Sequence, residues 1–319
     1  MAGRITSQFD RRATALDVIK GHDLSGRVVL VTGAASGIGV ETARAFASAG
    51  ADLTLAVRDT AKGEAVAADL RKATGNDRIA VGALDLGDQA SVRRFAADFA
   101  ASHAALHILV NNAGIMATPE MRTKEGYELQ FATNHLGHFL LANLLLPLLR
   151  KGAPARIVSL SSIGHRRSPV VFDDIHFKQR PYDKWAAYGQ SKTANALFAV
   201  GWTRRFGADG ITANAVMPGG IMTGLQKHMP MEEQKALGWI LPDGSINPGM
   251  KTPAQGAATS VWAATAKELQ GIGGLYLEDC AEAAPWKEDA PWSGVLPHAL
   301  DAEAAERLWS VSEEMTGLA

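Results

Sequence analysis

The chain has 319 residues, of which 47% are hydrophobic and 20% are charged, so it can bury a large core and is not intrinsically disordered. Lys plus Arg number 32 and Asp plus Glu number 33, a net charge of −1 that gives no electrostatic case for binding nucleic acid or an anionic membrane surface. The single cysteine, Cys280, excludes an internal disulfide framework and a Cys-rich zinc site.

Signals for secretion or membrane insertion are not evident. Residues 1–24 are interspersed with charges and contain no apolar run of signal-peptide length. The longest apolar stretch, 139–149, is interrupted by Asn143 and Pro147 and is shorter than the ~20 residues that span a bilayer. We therefore expect a cytoplasmic protein without a membrane anchor.

Short apolar runs alternate with Ala-rich stretches of helical character. The runs are nearly continuous in apolar residues, which is typical of strands covered on both faces. They lie at 27–32, 52–57, 78–84, 107–112, 155–161, 211–216 and 273–277. The pattern predicts an α/β fold, namely a single doubly wound domain of the Rossmann type with a seven-stranded, mainly parallel sheet and helices on both faces.

We place the domain at residues 25–319 and treat residues 1–24 as an N-terminal extension. Two segments interrupt the alternation of strands and helices. Residues 165–184 are a polar insertion after a strand, and residues 224–251, rich in Met, Pro and Gly, are interpreted as a flexible lid.

The first predicted helix opens on a glycine-rich turn, Thr32-Gly33-Ala34-Ala35-Ser36-Gly37-Ile38-Gly39. Glycines allow a tight turn and a close approach to a pyrophosphate, and the helix N-terminus offers free N–H groups and a positive dipole end. Such a turn can also have a purely structural role, in which its glycines allow the helix to pack closely on the strand. Its position in the first strand–helix unit favours dinucleotide binding.

The residues at the end of the second predicted strand indicate which dinucleotide. Arg58 offers a planar cation to a 2′-phosphate, which favours NADP (NADPH) as the cofactor. Asp59 follows directly and could instead accept hydrogen bonds from ribose hydroxyls, so NAD is the alternative.

Tyr188 and Lys192 lie four residues apart in a helical pattern and therefore share a helix face. A phenol with its usual pKa near 10 is a poor acid–base catalyst at neutral pH. A neighbouring ammonium favours the phenolate, so we expect Lys192 to lower the pKa of Tyr188. This spacing also occurs by chance on surface helices.

Together with further motifs in fixed order, these features resemble the short-chain dehydrogenase/reductase family from about Leu24 to Leu318. The likeness is greatest to the retinol dehydrogenases and to the dehydrogenase part of WW-domain oxidoreductases, through RATALDVIKGHDLSGRVVLVTG, NHLGHF, GGLYLEDC and LWSVSEEMTGL. The remaining family motifs are Asp85-Leu86, Asn111-Asn112-Ala113-Gly114, Asn134, Ser161-Ser162, and Pro218-Gly219 with Thr223.

The resemblance implies four catalytic residues. Tyr188 would exchange a proton with the substrate oxygen, and Ser162 would polarise that oxygen. Lys192 would bind the nicotinamide ribose and lower the pKa of Tyr188, and Asn134 would hold a water that connects Lys192 to solvent. Ser161 could be the active serine instead, and Asn134 could be a helix-bending core residue.

The resemblance also implies a set of cofactor-binding residues, with Asp85 at the adenine and Pro218 to Thr223 at the nicotinamide. The set comprises Gly33, Ser36, Gly37, Ile38, Gly39, Arg58, Asp85, Leu86, Asn112, Ala113, Gly114, Tyr188, Lys192, Pro218, Gly219 and Thr223.

One departure from compact family members is the 26 positions that separate Tyr188 from Ser162. We expect the insertion at 165–184 to loop out beside the pocket. His165 follows Ser162 closely, but no Gly-x-Ser-x-Gly turn of a hydrolase accompanies it, so it is assigned to the pocket wall or the surface.

The lid composition suits a large apolar substrate, because Met adapts its shape and Trp covers area, although the same residues could simply pack the lid. The residues concerned are Met222, Leu225, Met229, Met231, Trp239, Ile240 and Leu241. We therefore expect a carbonyl reductase or alcohol dehydrogenase for a lipophilic ketone, aldehyde or secondary alcohol. The alternatives are a catalytically silent NADP-binding scaffold and a C=C reductase, like the light-dependent chlorophyll-precursor reductases that this branch also resembles.

By analogy with the family, a homodimer or homotetramer would form through the helices of Asn134 and Tyr188. The apolar run 139–149 is compatible with such an interface, although a monomer would show the same run.

Overall fold

The computed structural model describes residues 3–319 and contains one eight-stranded sheet. The strand order is β3-β2-β1-β4-β5-β6-β7-β8. The strands are β1 Val28–Thr32, β2 Asp52–Val57, β3 Ile79–Ala83, β4 Ile108–Asn111, β5 Ala155–Leu160, β6 Ile211–Met217, β7 Tyr276–Glu278 and β8 Ala281–Glu282. Neighbouring strands from β3 to β7 are parallel, which confirms the predicted doubly wound sheet.

The eighth strand was not predicted. It pairs antiparallel with β7 through Leu277 opposite Glu282 and Glu278 opposite Ala281. Asp279 and Cys280 make the connecting turn with φ of 49° and 54°, in the left-handed region. A two-residue strand after such a turn carries no periodic pattern, so the sequence alone gives no sign of it.

Helices cover both faces of the sheet. Their bounds are α1 Ala15–Ile19, α2 Gly37–Ser48, α3 Thr60–Thr74, α4 Gln89–Ser102, α5 Leu129–Phe131, α6 Gly137–Leu144, α7 Leu146–Lys151, α8 Lys184–Phe206, α9 Met231–Ala236, α10 Pro253–Thr265 and α11 Ala302–Thr316. A π-helical turn, Ala132–Leu136, joins α5 to α6. Within residues 3–319, none of these helices combines the length and the apolarity that crossing a bilayer requires.

The alternation of side chains along β1 divides the core into two layers. Val29 and Val31 belong to the layer that contains Phe46 of α2 and Trp262 of α10. Leu30 belongs to the opposite layer, with Phe139 of α6 and Trp202 of α8. All of these side chains are buried, which accounts for the nearly continuous apolar runs of the sequence.

Residues 3–24 pack on the body of the domain. Ala15, Val18 and Ile19 of α1 are buried in the core layer that holds α2 and α10. Thr6 forms a β-bridge with Ala281, and the Ile5 amide donates to the Glu282 carboxylate at 3.0 Å. The N-terminal segment therefore covers the edge of the sheet at β8.

The insertion at 165–184 does not loop out as expected. Val170, Ile175 and Phe177 are buried, and the first two share a hydrophobic cluster with Phe131 and with Leu197 of α8. These apolar residues are scattered among charged ones, and the polar composition of the segment therefore concealed its role as a cover for α8.

The C-terminal helix α11 packs on α8 through Trp309, which is 4% exposed. The Trp309 ring lies 4.9 Å from Phe139 and 6.0 Å from Trp202 between centroids, and the Arg205 guanidinium lies 4.2 Å from its centroid. The apolar run 139–149 is thus buried largely by residues of the same chain.

Trp309→Ala is expected to lower the free energy of unfolding by about 3–5 kcal/mol, because it removes a large buried ring and leaves a cavity. Urea denaturation followed by circular dichroism measures the loss. Trp292→Ala is the matched control, since Trp292 is 70% exposed, and it should change the free energy by less than about 0.5 kcal/mol. Equal losses in the two variants would contradict the packing described for α11.

Candidate active site

A cleft of about 560 Å³ opens at the carboxyl edge of the sheet, beside the point where the strand order reverses between β1 and β4. Ligands of open α/β sheets bind at this position. Fifteen residues predicted to bind the cofactor line it: Gly33, Ser36, Gly37, Ile38, Gly39, Arg58, Asp85, Leu86, Asn112, Ala113, Gly114, Tyr188, Lys192, Pro218 and Thr223. Gly219, Ser162 and Asn134 are not among its lining residues.

The glycine-rich turn fits a diphosphate. Gly33 and Gly37 have φ of +68° and +57°, and a Cβ at Gly39 would lie 2.5 Å from the Gly33 carbonyl oxygen. Within residues 3–319, Ser36 makes no side-chain capping hydrogen bond to α2, whereas Asp59 and Asp183 cap α3 and α8. The first-turn N–H groups of α2 therefore remain available to an anion.

Arg58 and Asp59 differ in how their side chains are used. Both line the cleft, as does Lys62. The Asp59 carboxylate accepts the Lys62 backbone N–H at 3.1 Å as the cap of α3. Arg58 is exposed at the end of β2. The cleft thus presents cations at this end, and its one carboxylate here is committed to the helix.

Asn112 joins the ends of β1 and β4. Its amide Nδ2 donates to the Thr32 carbonyl at 2.7 Å, and its backbone N–H donates to the Thr32 hydroxyl at 3.0 Å. Asp85 accepts the Gly87 N–H at 2.9 Å, which shapes the loop after β3. These contacts fix the floor of the cleft.

Tyr188 and Lys192 lie on one face of α8, as the spacing predicts, and both are buried. Lys192 Nζ donates to the Leu160 carbonyl at 3.0 Å and lies 5.7 Å from the centroid of the Tyr188 ring. Burial lowers the pKa of the Lys192 ammonium to about 8.

The expected lowering of the Tyr188 pKa is not observed. Burial raises the pKa of the Tyr188 phenol to about 12, and the nearby Ser162 hydroxyl offsets this rise only in part. Desolvation of the phenolate therefore outweighs the neighbouring ammonium in this structure. At neutral pH the phenol holds its proton, as a proton donor to a carbonyl oxygen must.

The two candidate serines are used differently. The Ser161 hydroxyl donates to the Lys192 carbonyl at 2.8 Å and is buried. The Ser162 hydroxyl oxygen accepts the Gly164 N–H at 3.0 Å. A Cβ at Gly164 would lie 3.4 Å from this oxygen and 2.8 Å from the Tyr188 ring, so Ser162 lies beside the phenol. Ser161 contributes to the wall of the cleft, but the contacts favour Ser162 as the partner of Tyr188.

Asn134 lies in the π-helical turn, a feature frequent at functional sites. Its amide accepts the Ile115 N–H at 2.8 Å and donates to the Ile115 carbonyl at 3.0 Å and to the Ser191 hydroxyl at 2.9 Å. The side chain thus ties the loop after β4 to α8. A Cβ at Gly114 would lie 3.2 Å from Asn134 Oδ1 and 3.4 Å from Lys192 Nζ, which places both groups beside this loop.

The loop after β6 approaches the cleft from the opposite side. Thr223 lies against the glycine-rich turn, since a Cβ at Gly37 would be 3.2 Å from its Cγ2. Lys251 is buried beneath Gly219, and its ammonium pairs with Asp279 at 2.5 Å. No motif in the sequence marks this lysine.

An apolar cluster adjoins Tyr188. Buried Met116, Ala117 and Met229 form a cluster with the phenol ring, and Trp185, Leu225, Leu237 and Trp239 pack against it. Trp185 and Trp239 meet edge to face with centroids 6.1 Å apart. Met231, assigned to the lid pocket from the sequence, is 51% exposed and lies outside this cluster.

Glu233 of α9 holds the lid to α8. Its carboxylate accepts from Lys184 Nζ at 2.7 Å and from the Trp185 indole N–H at 3.0 Å. Neither Trp185 nor Glu233 was singled out from the sequence, because their pairing depends on how the lid folds back.

His165 is neither pocket wall nor surface. It is fully buried behind Ser162, where it contacts the Ser162 carbonyl and Tyr276. Its closeness to Ser162 in the sequence was the only available signal, because the partner Tyr276 lies 111 residues further along the chain.

Known proteins resemble this chain in sequence. The short chain dehydrogenase family matches residues 27–234. A Streptomyces antibioticus protein named "Probable oxidoreductase" is 50% identical over 292 residues, covering 90% of this chain and 96% of its own length. Human retinol dehydrogenase 12 is 42% identical over 295 residues, covering 92% of this chain and 88% of its own.

Solved structures give the same result. The crystal structure of an uncharacterized protein from Mycobacterium paratuberculosis has a TM-score of 0.72 at 33% identity, covering 96% of this chain and 98% of that one. The Pseudomonas aeruginosa RhlG/NADP active-site complex has a TM-score of 0.62 at 28% identity, covering 80% and 95% respectively. The chain therefore belongs to the short-chain dehydrogenase family and is an oxidoreductase of that family.

Proposed function

We propose that the protein is an NADPH-dependent reductase of lipophilic ketones or aldehydes, which also oxidises the corresponding secondary alcohols, with Tyr188 as the acid–base residue. The observation that carries the proposal is the buried phenol of Tyr188, which lines the cleft, packs in an apolar cluster and lies beside Ser162. A bound nicotinamide would supply the hydride.

The residues of the chain handle the proton and the orientation of the substrate. Tyr188 donates its proton to the carbonyl oxygen, and the Ser162 hydroxyl stabilises the charge that develops there. Lys192, held at the Leu160 carbonyl, is positioned to bind ribose hydroxyls and to favour the phenolate left after transfer. Asn134, whose amide is bonded to Ile115 and Ser191, supports this arrangement from the loop side.

Tyr188→Phe is expected to lower kcat for carbonyl reduction by at least about 100-fold, because it removes the group that donates the proton to the carbonyl oxygen. Dissociation constants for NADPH, measured by quenching of tryptophan fluorescence, should change less than about threefold. Retained turnover would contradict the assigned role. Tight NADPH binding by the wild type without turnover of any carbonyl would favour the scaffold alternative, and alkane products from activated alkenes would favour C=C reduction.

The preference for NADPH rests on the cations at the end of β2. Arg58 and Lys62 both line the cleft, and Asp59 is occupied as a helix cap. A 2′-phosphate would therefore meet positive charge, while a ribose 2′-hydroxyl would share the Asp59 carboxylate with the helix N–H that it already caps. The NADP complex of the RhlG protein is consistent with this choice.

Arg58→Ala is expected to raise KM for NADPH by about 10–100-fold and to leave KM for NADH nearly unchanged, since a charge-assisted hydrogen bond to phosphate contributes roughly 1.5–3 kcal/mol. Steady-state kinetics with both cofactors measure the shift. Arg150→Ala is the control, because Arg150 pairs with Asp209 and does not line the cleft. An unchanged ratio of the two KM values in Arg58→Ala would overturn the NADPH assignment.

The substrate preference rests on the apolar cluster beside Tyr188. Met116 and Met229 offer adaptable surface, while Trp185 and Trp239 offer flat surface. The cluster suits an extended or polycyclic apolar body next to a carbonyl. Turnover confined to small charged keto acids would contradict it.

Glu233→Ala is expected to raise KM for a lipophilic carbonyl by about fivefold and to leave KM for NADPH unchanged. The substitution removes the partly exposed ion pair with Lys184 and the hydrogen bond from Trp185, which together stabilise the lid by about 1 kcal/mol. Glu232→Ala provides the matched control, since Glu232 is the exposed neighbour in the same helix. Equal effects of the two substitutions would show that the Glu233 contacts do not shape the substrate pocket.

A further inference from the structure

Ser162 is held at both of its polar ends. On the side-chain end, its hydroxyl oxygen accepts the Gly164 N–H at 3.0 Å. On the backbone end, its carbonyl oxygen lies 2.8 Å from His165 Nδ1 and 2.9 Å from the Tyr276 hydroxyl, and it also accepts the His165 N–H at 3.0 Å. Few carbonyl oxygens meet three donors, so the orientation of this residue is strongly determined.

The tautomer of His165 follows from its other nitrogen. The Leu296 backbone N–H can only donate, and it points at His165 Nε2 over 3.1 Å, so Nε2 is an acceptor. The proton of the neutral ring is therefore on Nδ1, which donates towards the Ser162 carbonyl and the Tyr276 oxygen 3.1 Å away. Burial lowers the pKa of the imidazole to about 4, so the ring stays neutral and keeps this tautomer across physiological pH.

Tyr276 closes the network from the sheet. It is fully buried in β7, and its hydroxyl donates to the Ser162 carbonyl. Its ring packs against His165 with centroids 5.0 Å apart. The network therefore joins β7, the turn after β5 and the chain at Leu296, three places that are distant in the sequence.

We infer that Tyr276 and His165 are positioning residues for Ser162. Both residues donate hydrogen bonds to the Ser162 carbonyl and so fix its backbone, while the Gly164 N–H donates to the Ser162 hydroxyl oxygen. The remaining O–H is thereby directed at the phenol of Tyr188 and at a substrate oxygen beside it. This inference rests on the proposed function, in which the Ser162 hydroxyl stabilises the reacting oxygen.

A double-mutant cycle between Tyr276→Phe and Ser162→Ala tests the inference. Ser162→Ala should lower kcat by about 100-fold or more, because it removes a donor to the developing charge. Tyr276→Phe, which keeps the buried ring, should lower kcat by about 5–10-fold with KM for NADPH unchanged. In the Ser162→Ala variant, adding Tyr276→Phe should lower kcat by less than about twofold, because Tyr276 acts through the Ser162 hydroxyl, which is already absent.

Tyr127→Phe is the matched control. Its hydroxyl also donates to a backbone carbonyl, that of Met315 at 3.1 Å, and it does not contact Ser162. It should leave kcat within twofold of the wild type, and thermal melting of each variant separates a loss of stability from a loss of rate.

The role of the imidazole is tested by rescue. His165→Asn retains an N–H near the position of Nδ1 and should keep kcat within about threefold of the wild type. His165→Phe retains a ring but has no hydrogen-bond donor, and it should lower kcat by about 10-fold or more. Both variants remove the acceptor for the Leu296 amide, so equal losses would assign His165 to packing of that segment and overturn its positioning role.

The outcomes separate the two levels of inference. If Ser162→Ala leaves kcat unchanged, the proposed role of the serine and the positioning inference both fail. The other case is that Ser162→Ala lowers kcat by about 100-fold while Tyr276→Phe leaves kcat unchanged, or lowers it by the same factor with and without Ser162. In that case the proposed function stands and the positioning role of Tyr276 is overturned.

Discussion

The burial of α8 is the constraint on which the site depends. Every residue from Ala187 to Trp202 is buried, and this stretch includes a phenol and an ammonium. A buried ammonium must find acceptors, and Lys192 finds the Leu160 carbonyl at the end of β5, which fixes its position at the carboxyl edge of the sheet. The same burial keeps Tyr188 protonated. The packing of Met116, Ala117 and Met229 around Tyr188 is thus part of the chemistry, because it removes the phenol from water.

Burial also explains why the sequence predicts the pair on α8 and mispredicts its electrostatics. A spacing of four places Tyr188 and Lys192 on one helix face whatever surrounds them, so the geometry follows from the sequence. The pKa of the phenol depends on desolvation by the whole neighbourhood, which no local pattern encodes. The parallel strands were predictable for the same reason as the spacing, since their apolar runs are local. The edge strand β8 is not predictable in this way, because it has only two residues and follows a turn in the left-handed region.

Contacts between distant segments account for what the sequence leaves undetected. His165, Tyr276 and Leu296 converge on Ser162 only because β5 and β7 both neighbour β6. Glu233 meets Lys184 and Trp185 only because the lid returns over the start of α8. Such residues are of ordinary types in ordinary local settings. Their relevance arises from topology, whereas the glycine-rich turn is recognisable because its function constrains the backbone itself.

Two parts of the cleft bear on the proposed reduction of a carbonyl. At one end of the cleft, Arg58 and Lys62 place positive charge where the proposed NADPH would carry its 2′-phosphate. At the other end, burial keeps the Tyr188 phenol protonated, the form that a carbonyl reductase requires before turnover. The ordering of Ser162 by its carbonyl serves reduction as well, because a hydroxyl whose lone pair is already occupied acts as a donor to a developing alkoxide.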